Sequence, residues 1–379
     1  MESLLQPEFI LFGLTLLGVA LFHDHTLKVA LGGLALIAAY KLFFTNFNFA
    51  THLGHEWEIL INLFALLIGF ALLAKHFEET GLPQILPDYL PHDWKGGFVL
   101  LALVFILSSF LDNIAAAMIG GAVAQTVFKG KVHIGYIAAI VAASNGGGSG
   151  SVLGDTTTTM MWIAKIDAFS VLHAYIGAVA AFLFYAVIAS RQQHKYHPIM
   201  KHSKKGVKID WVRVIIVVAV LVGAVVTNVF LDFPALGVWG ALLLGALIRK
   251  TDWKEAQHAL PGAVFLLSLV LAASMMPVDK LPSASWQTTF GLGFVSAVFD
   301  NIPLTKLALE QGGYDWGVLA YAVGFGGSMI WFGSSAGVAI TGIYEEAKSV
   351  GSWVKNGWHI VVAYIIGMAA ILLLHGWNP

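Results

Sequence analysis

Two acids stand where acids are costly. Asp112, in Ser108-Ser109-Phe110-Leu111-Asp112-Asn113-Ile114, interrupts one long apolar run. Asp300, in Ser296-Ala297-Val298-Phe299-Asp300-Asn301-Ile302, interrupts another 188 residues later. An ionised carboxylate at the middle of a membrane segment costs roughly 2.5–3.5 kcal/mol, so such acids tend to be functional. The same Asp-Asn pair at matching places in two halves points to an internal repeat around an ion or substrate site. Each pair is followed by a glycine- and hydroxyl-rich patch. The first is Ser144-Asn145-Gly146-Gly147-Gly148-Ser149-Gly150-Ser151 with Gly154-Asp155 and the run Thr156 to Thr159. The second is Gly326-Gly327-Ser328 with Gly333-Ser334-Ser335-Ala336-Gly337.

Glycines let the backbone unwind and turn its carbonyls inward. Asn, Ser and Thr add neutral oxygens and Asp adds charge, the ligand types a hard cation takes. Freed helix ends add partial charges. A buried carboxyl group favours its neutral form and a bound cation favours the carboxylate, so a proton and a sodium ion can compete for one site. If that site opens to one side at a time, the competition yields exchange. The bland alternative is that Asp112 and Asp300 only pair with buried donors to fix helix packing. Asp155 could equally lie nearer a membrane surface. The Thr run could cap a helix, which is compatible with ligation. Lys306 could neutralise Asp300, carry a proton or reach an interface. At the 188-residue offset the patch at 146–151 falls on 334–339, and Asp155 falls on Ile343, so the halves differ there.

The elements that must position these groups follow from composition. The chain has 379 residues, of which 58% are hydrophobic and 11% charged, with a mean hydropathy of +0.78. A soluble domain is closer to a quarter charged. Apolar stretches long enough to cross a bilayer as helix recur along the chain, without the alternation of a membrane barrel. The expectation is an all-α polytopic membrane protein. Plain spans are predicted at about 8–22, 26–44, 59–77 and 170–190, then at 211–230, 234–249, 259–276 and 357–375. Residues 98–128 and 286–311 read as re-entrant hairpins around the Asp-Asn breaks. Residues 132–164 and 315–347 read as single crossings with an unwound middle, where protein or a wet cavity satisfies the backbone. Each repeat then has five spans, a hairpin and a broken helix. Five is odd, so the second copy runs inverted. The layout is a first repeat at 1–190, a basic linker at 191–210 and a second repeat at 211–379.

With the linker cytoplasmic, 17 of the 21 basic residues fall inside, three outside, and Lys306 lies within the second hairpin, which agrees with the positive-inside rule. The first hairpin then opens from the cytoplasm, the second from outside, and both termini are external. The N-terminal stretch lacks the basic region of a signal peptide, so the first span is expected to be retained.

Three stretches resemble the NhaD-type sodium/proton antiporters of the large ion transporter superfamily, which also holds arsenite- and citrate-permease-like carriers. They are Ser109 to Asn113, Asn145 through the Gly154-Asp155-Thr156-Thr157-Thr158-Thr159-Met160-Met161-Trp162 motif, and Asp300-Asn301-Ile302-Pro303 with Gly326 through Gly337. The resemblance spans about residues 95–345. It implies hairpins, broken helices and a midplane site, with Asp112, Asn113, Asn145, Asp155, Thr157, Thr158, Ser296, Asn301 and Ser335 handling the ion. Asp300 and Ser334 join them on the repeat argument, with Asp112, Asp155 and Asp300 as sodium carboxylates. The resemblance further implies a bacterial inner-membrane setting and a homodimer, with transported Na+ and H+ and no cofactor. The chain departs from the family in Ala115-Ala116-Ala117 after the first Asp-Asn, and in Lys306.

Other classes fit less well. With no cysteine and a net charge of −1, thiol chemistry is excluded and nothing points to nucleic acid. No His-Glu-x-x-His, Gly-x-Ser-x-Gly or P-loop appears, so an enzyme is not expected. A channel would also use oxygen-lined breaks. A sodium- or proton-coupled citrate or dicarboxylate carrier is the main alternative. Against it, Arg191, Arg213 and Arg249 all fall at the predicted cytoplasmic surface. His23, His25, His52, His55, His92 and His133 read as solvated loop or span-end residues with a possible role in pH sensing, and His52, His55 and Glu56 as a polar surface.

Overall fold

The computed structural model describes residues 6–22, 25–200 and 207–379. His23 and the linker lysines Lys201, Lys204 and Lys205 lie outside the described residues. Among the described residues every regular element is helical. A bilayer-spanning chain must satisfy its own N–H and C=O groups, and a helix does so within one segment.

In chain order the helices are α1 (Pro7–Leu21), α2 (Thr26–Phe44), α3 (Phe49–Glu78), α4 (Leu82–Tyr89), α5 (Trp94–Ser108) and α6 (Asn113–Val127). Then come α7 (Ile134–Gly148), α8 (Thr156–Ile163), α9 (Ala174–Tyr196), α10 (Trp211–Leu231), α11 (Pro234–Ala246) and α12 (Lys254–Ser274). The last six are α13 (Trp286–Ser296), α14 (Asn301–Gln311), α15 (Trp316–Gly326), α16 (Ser335–Ile343), α17 (Val350–Asn356) and α18 (Trp358–Leu374). Five stretches are long and apolar enough to cross a membrane alone, at α2, α3, α9, α10 and α12. The pair α17 and α18, bent by 61°, makes a sixth. Ile215, Val218, Val222 and Val229 stand exposed along one side of α10, a surface suited to lipid and not to water. The chain is an integral membrane protein.

Several boundaries differ from the sequence expectation. Helix α3 begins at Phe49, ten residues before the predicted span, because Asn48 caps it through a bond from the Thr51 N–H (3.1 Å) and because its polar first turns find buried partners. Helix α4 was not foreseen. Gly81, at φ +82°, turns the chain sharply at the end of α3, and Pro83 suits a helix start.

Buried side chains divide into packing clusters. One joins α5, α6, α7, α9 and α14 to α18. A second joins α3, α8, α10, α11 and α12 and takes Ile302 from α14. A third joins α1, α2 and α12. Helices α8 and α14 therefore contribute to both larger clusters.

Lys306 sits on this seam, and its partner differs from the one suggested by its closeness in sequence to Asp300. It is a charge partner of Glu56 and Glu310. Its Nζ lies 2.8 Å from Glu56 Oε2 on α3 and 2.5 Å from Glu310 Oε1 one turn along α14. Lys306 is 2% exposed and Glu56 7%, so Glu56 is not part of a polar surface.

Removing one partner of a buried ion pair costs about 3–5 kcal/mol because the other charge is left unpaired. Lys306→Met is therefore expected to lower the apparent melting temperature in detergent sharply. Glu56→Gln should lower it less, since Glu310 still faces the ammonium, and the double variant should recover much of the Lys306→Met loss.

Candidate functional site

Four helices start inside the protein, and their N-caps define the site. Asp112 caps α6 by accepting from the Ile114 N–H (3.2 Å). Asp155 caps α8 by accepting from the Thr157 N–H (2.9 Å). Asp300 caps α14 by accepting from the Ile302 N–H (3.0 Å). Ser334 caps α16, its Oγ accepting from the Gly337 N–H (3.3 Å). Short oxygen side chains serve here because the first N–H groups of a helix have no intrahelical acceptor.

Hydrogen bonds draw the four ends together in pairs. Thr156 Oγ1 donates to Asp112 Oδ1 (3.4 Å), and Ser335 Oγ donates to Asp300 Oδ2 (3.1 Å). Thr156 and Ser335 are the first residues of α8 and α16, so the same join is made twice. Ser108, the last residue of α5, donates from Oγ to the Ser144 carbonyl on α7 (2.5 Å), and Ser296, the last residue of α13, donates from Oγ to the Val323 carbonyl on α15 (2.7 Å). Asn145 links the two halves. Its Oδ1 accepts from Asn113 Nδ2 (3.0 Å), and its Nδ2 donates to both Ser328 Oγ and Ser334 Oγ (3.0 Å each).

Close backbone approach at both breaks requires glycine. A Cβ on Gly148 would strike the Gly154 carbonyl, and one on Gly327 would sit 2.6 Å from the Gly333 carbonyl. These equivalent collisions correct the register read from the sequence. Asp155 corresponds in position to Ser334, not to Ile343. Asp155 follows Asp112 by 43 residues whereas Ser334 follows Asp300 by 34, and α15 has 11 residues against 15 in α7. A single offset cannot carry both breaks.

The sequence-predicted residues therefore fall into groups. Asp112, Asn113, Asn145, Asp300, Ser334 and Ser335 belong to the bonded network just described. Thr158 Oγ1 is occupied, donating to the carbonyls of Ser151 (2.6 Å) and Asp155 (2.9 Å). Ser296 braces the α13 end. Asp155 Oδ2, Thr157 Oγ1 and Asn301 Nδ2 are buried without a well-formed hydrogen bond, with the Thr157 side chain next to the Asp155 carboxylate. Buried polar atoms are rarely left so. Asp155 is 1% exposed and Thr157 is fully buried, so two such oxygens lie close in sequence beside the α8 end. Thr156 and Ser328 were missed as individual site residues. Both stood in the quoted patches, but neither spacing nor type singled them out from their neighbours.

A cavity of about 510 Å³ opens on the network, with Asp112, Asp300, Ser335, Ala115, Glu255 and His258 among its lining. Among the described residues that lining holds no Lys or Arg. A neighbouring cavity of about 360 Å³ shares Ala74, Ala115 and Glu255 with it and reaches Lys75 and Thr126.

Known proteins resemble this sequence over most of its length. The sodium/proton antiporter 1 of Arabidopsis thaliana is 26% identical over 333 residues, which cover 74% of this chain and 55% of that protein. The Na(+)/H(+) antiporter NhaD of Alkalimonas amylolytica is 27% identical over 339 residues, covering 74% and 69% of the two chains. The NhaD antiporter of Halomonas elongata is 26% identical over 331 residues, covering 72% and 66%. The chain thus spans little more than half the length of the Arabidopsis relative. A family profile described as citrate transporter matches residues 10–326. With most of its length inside that match and its acids held at paired helix breaks, the chain belongs to the citrate transporter family.

Proposed function

We propose that this protein exchanges sodium (or lithium) for protons by alternating access, with Asp112, Asp155 and Asp300 as the carboxylates for which cation and proton compete. What carries the reading is the charge of the site. Three of four converging helix ends are capped by carboxylates, Asp155 Oδ2 and Thr157 Oγ1 are buried without a well-formed hydrogen bond, and the cavity that opens on Asp112 and Asp300 also holds Glu255 and has no Lys or Arg in its described lining. A helix N-terminus alone attracts anions, but an Asp cap spends that partial charge locally. The remaining oxygens suit a hard cation. The antiporter names of the relatives support the same cargo.

On this reading the two halves are inverted repeats, and the cavity is the cytoplasmic vestibule, since it continues toward Lys75 near the end of α3. Sodium entering by it meets Asp112 and Asp300, which line the cavity, before the buried Asp155 and Thr157. Its charge favours ionised carboxylates and releases protons, and protons arriving from the other side displace it.

A second reading, a sodium- or proton-coupled citrate or dicarboxylate carrier, rests on one specific observation besides the family description. The α16 end is capped by neutral Ser334, and Asn301 Nδ2 is a free buried donor. Together they offer an anion a donor and a helix end.

Proteoliposome flux separates the two. An imposed sodium gradient is expected to change internal pH, and a citrate gradient is not. A response to citrate, with none to sodium, would establish the second reading.

Asp112→Asn and Asp300→Asn are each expected to abolish sodium-driven proton flux while the protein still inserts; wild-type rates in both would remove these acids from the mechanism. Thr157→Val removes one oxygen without disturbing the α8 cap. It should raise the KM for sodium about tenfold, equivalent to about 1.4 kcal/mol, with little change in the maximal rate.

A further inference from the structure

Far from the cavity, three side chains distant in sequence meet at one end of the helix bundle. His173 precedes α9, Asp315 caps α15 and His375 follows α18. His173 Nε2 lies 2.5 Å from Asp315 Oδ1. The His375 ring stacks on His173, with centroids 4.0 Å apart and planes at 16°. One nitrogen from each histidine and one oxygen of Asp315 all lie within 4.8 Å of one another. Nine residues of α15, about 13 Å of helix, separate Asp315 from Gly324, whose added Cβ would touch Asp155 Oδ2. This cluster is separate from the proposed sodium path.

We propose that His173, Asp315 and His375 form a binding site for a divalent transition-metal ion of the zinc class.

The donor set is two imidazoles and one carboxylate. That set suits a borderline ion such as Zn2+, and three protein ligands leave a fourth position for water. Asp315 is fully buried and held from two further directions. Its Oδ1 accepts from the Val318 N–H (3.0 Å) and its Oδ2 from the Asn378 N–H (2.9 Å). Such bonds orient a metal-binding carboxylate before the ion arrives. Burial acts to raise the Asp315 carboxyl, but the hydrogen bonds from His173, Val318 and Asn378 outweigh it and hold the group below the usual carboxylate range.

Without metal, the proton between His173 Nε2 and Asp315 Oδ1 joins them, and the ion takes that proton's place. Ligand bonds of about 2.0–2.1 Å put tetrahedral donor atoms about 3.3 Å apart. The His173–Asp315 contact then widens by less than about 1 Å, and His375, which is exposed, turns its ring inward out of the stack. Binding would staple the ends of α9, α15 and α18, all within one packing cluster.

The test is calorimetric titration of ZnCl2 into the purified, chelator-stripped full chain in detergent at pH 7.5, with thermal unfolding and Co2+ absorption read alongside. The expected result is one equivalent bound at micromolar or tighter affinity, a higher melting temperature and visible Co2+ bands of a low-coordinate site. Losing a group that merely orients a ligand costs roughly 10–100-fold in affinity, so losing a ligand in His173→Gln or His375→Gln should cost at least as much. Because His375 is exposed, His375→Gln keeps the fold and decides the matter even if His173→Gln does not express. No saturable binding by the wild type, or binding unchanged in His375→Gln, overturns the proposal; the latter would assign the ion to others of the 14 histidines.

Discussion

A helix that starts inside a bilayer exposes N–H groups that water cannot reach. Each such group costs several kcal/mol unless something accepts from it. Four helices of this protein start among buried side chains, at α6, α8, α14 and α16, and each is closed by a side-chain oxygen from Asp112, Asp155, Asp300 or Ser334. Much of the site's structure follows from this. The acids are where they are because a buried helix start needs an acceptor. Three of the four are carboxylates, the groups the proposed exchange uses. On the proposed reading the same atoms close the helices and attract the cation, so removing a cap would alter both.

The caps alone would leave four separate ends. Asn145 joins them, because an amide offers both an acceptor and two donors. It takes a bond from Asn113 in the first half and gives bonds to Ser328 and Ser334 in the second. An acid in its place would only accept, and an apolar residue would do neither. The glycines at 148, 154, 327 and 333 allow the backbone contacts around it, as no side chain would fit between the carbonyls. The two halves are thus fastened at the centre by small and amide residues, while their outer helices pack by ordinary apolar contact.

Charge balance elsewhere is handled differently. Lys306 is surrounded by Glu56 and Glu310 and takes no part in the acid network at Asp300. On the proposed reading, a basic group beside Asp300 would cancel the charge that draws a cation. Held by α3 and its own helix, it instead ties α14 to α3 where the two larger packing clusters meet.

Much was legible in the sequence. Composition and run length determined that the chain is helical and lives in a membrane. The polar interruptions at 108–113, 144–159, 296–303 and 326–337 marked where helices would break, since glycine and unpaired acids do not persist in lipid-facing helix. Those signals are local, a property of each segment against its solvent. What only the tertiary structure decided is which atoms meet: that Ser335 reaches Asp300 as Thr156 reaches Asp112, that Lys306 turns to Glu56, and that Asn145 spans the halves. The partners lie up to 250 residues apart. Hydropathy and spacing constrain each segment's path through the bilayer, but the rotation and shift of one helix against another come from side-chain packing, and a hydrogen bond a few ångströms long depends on those.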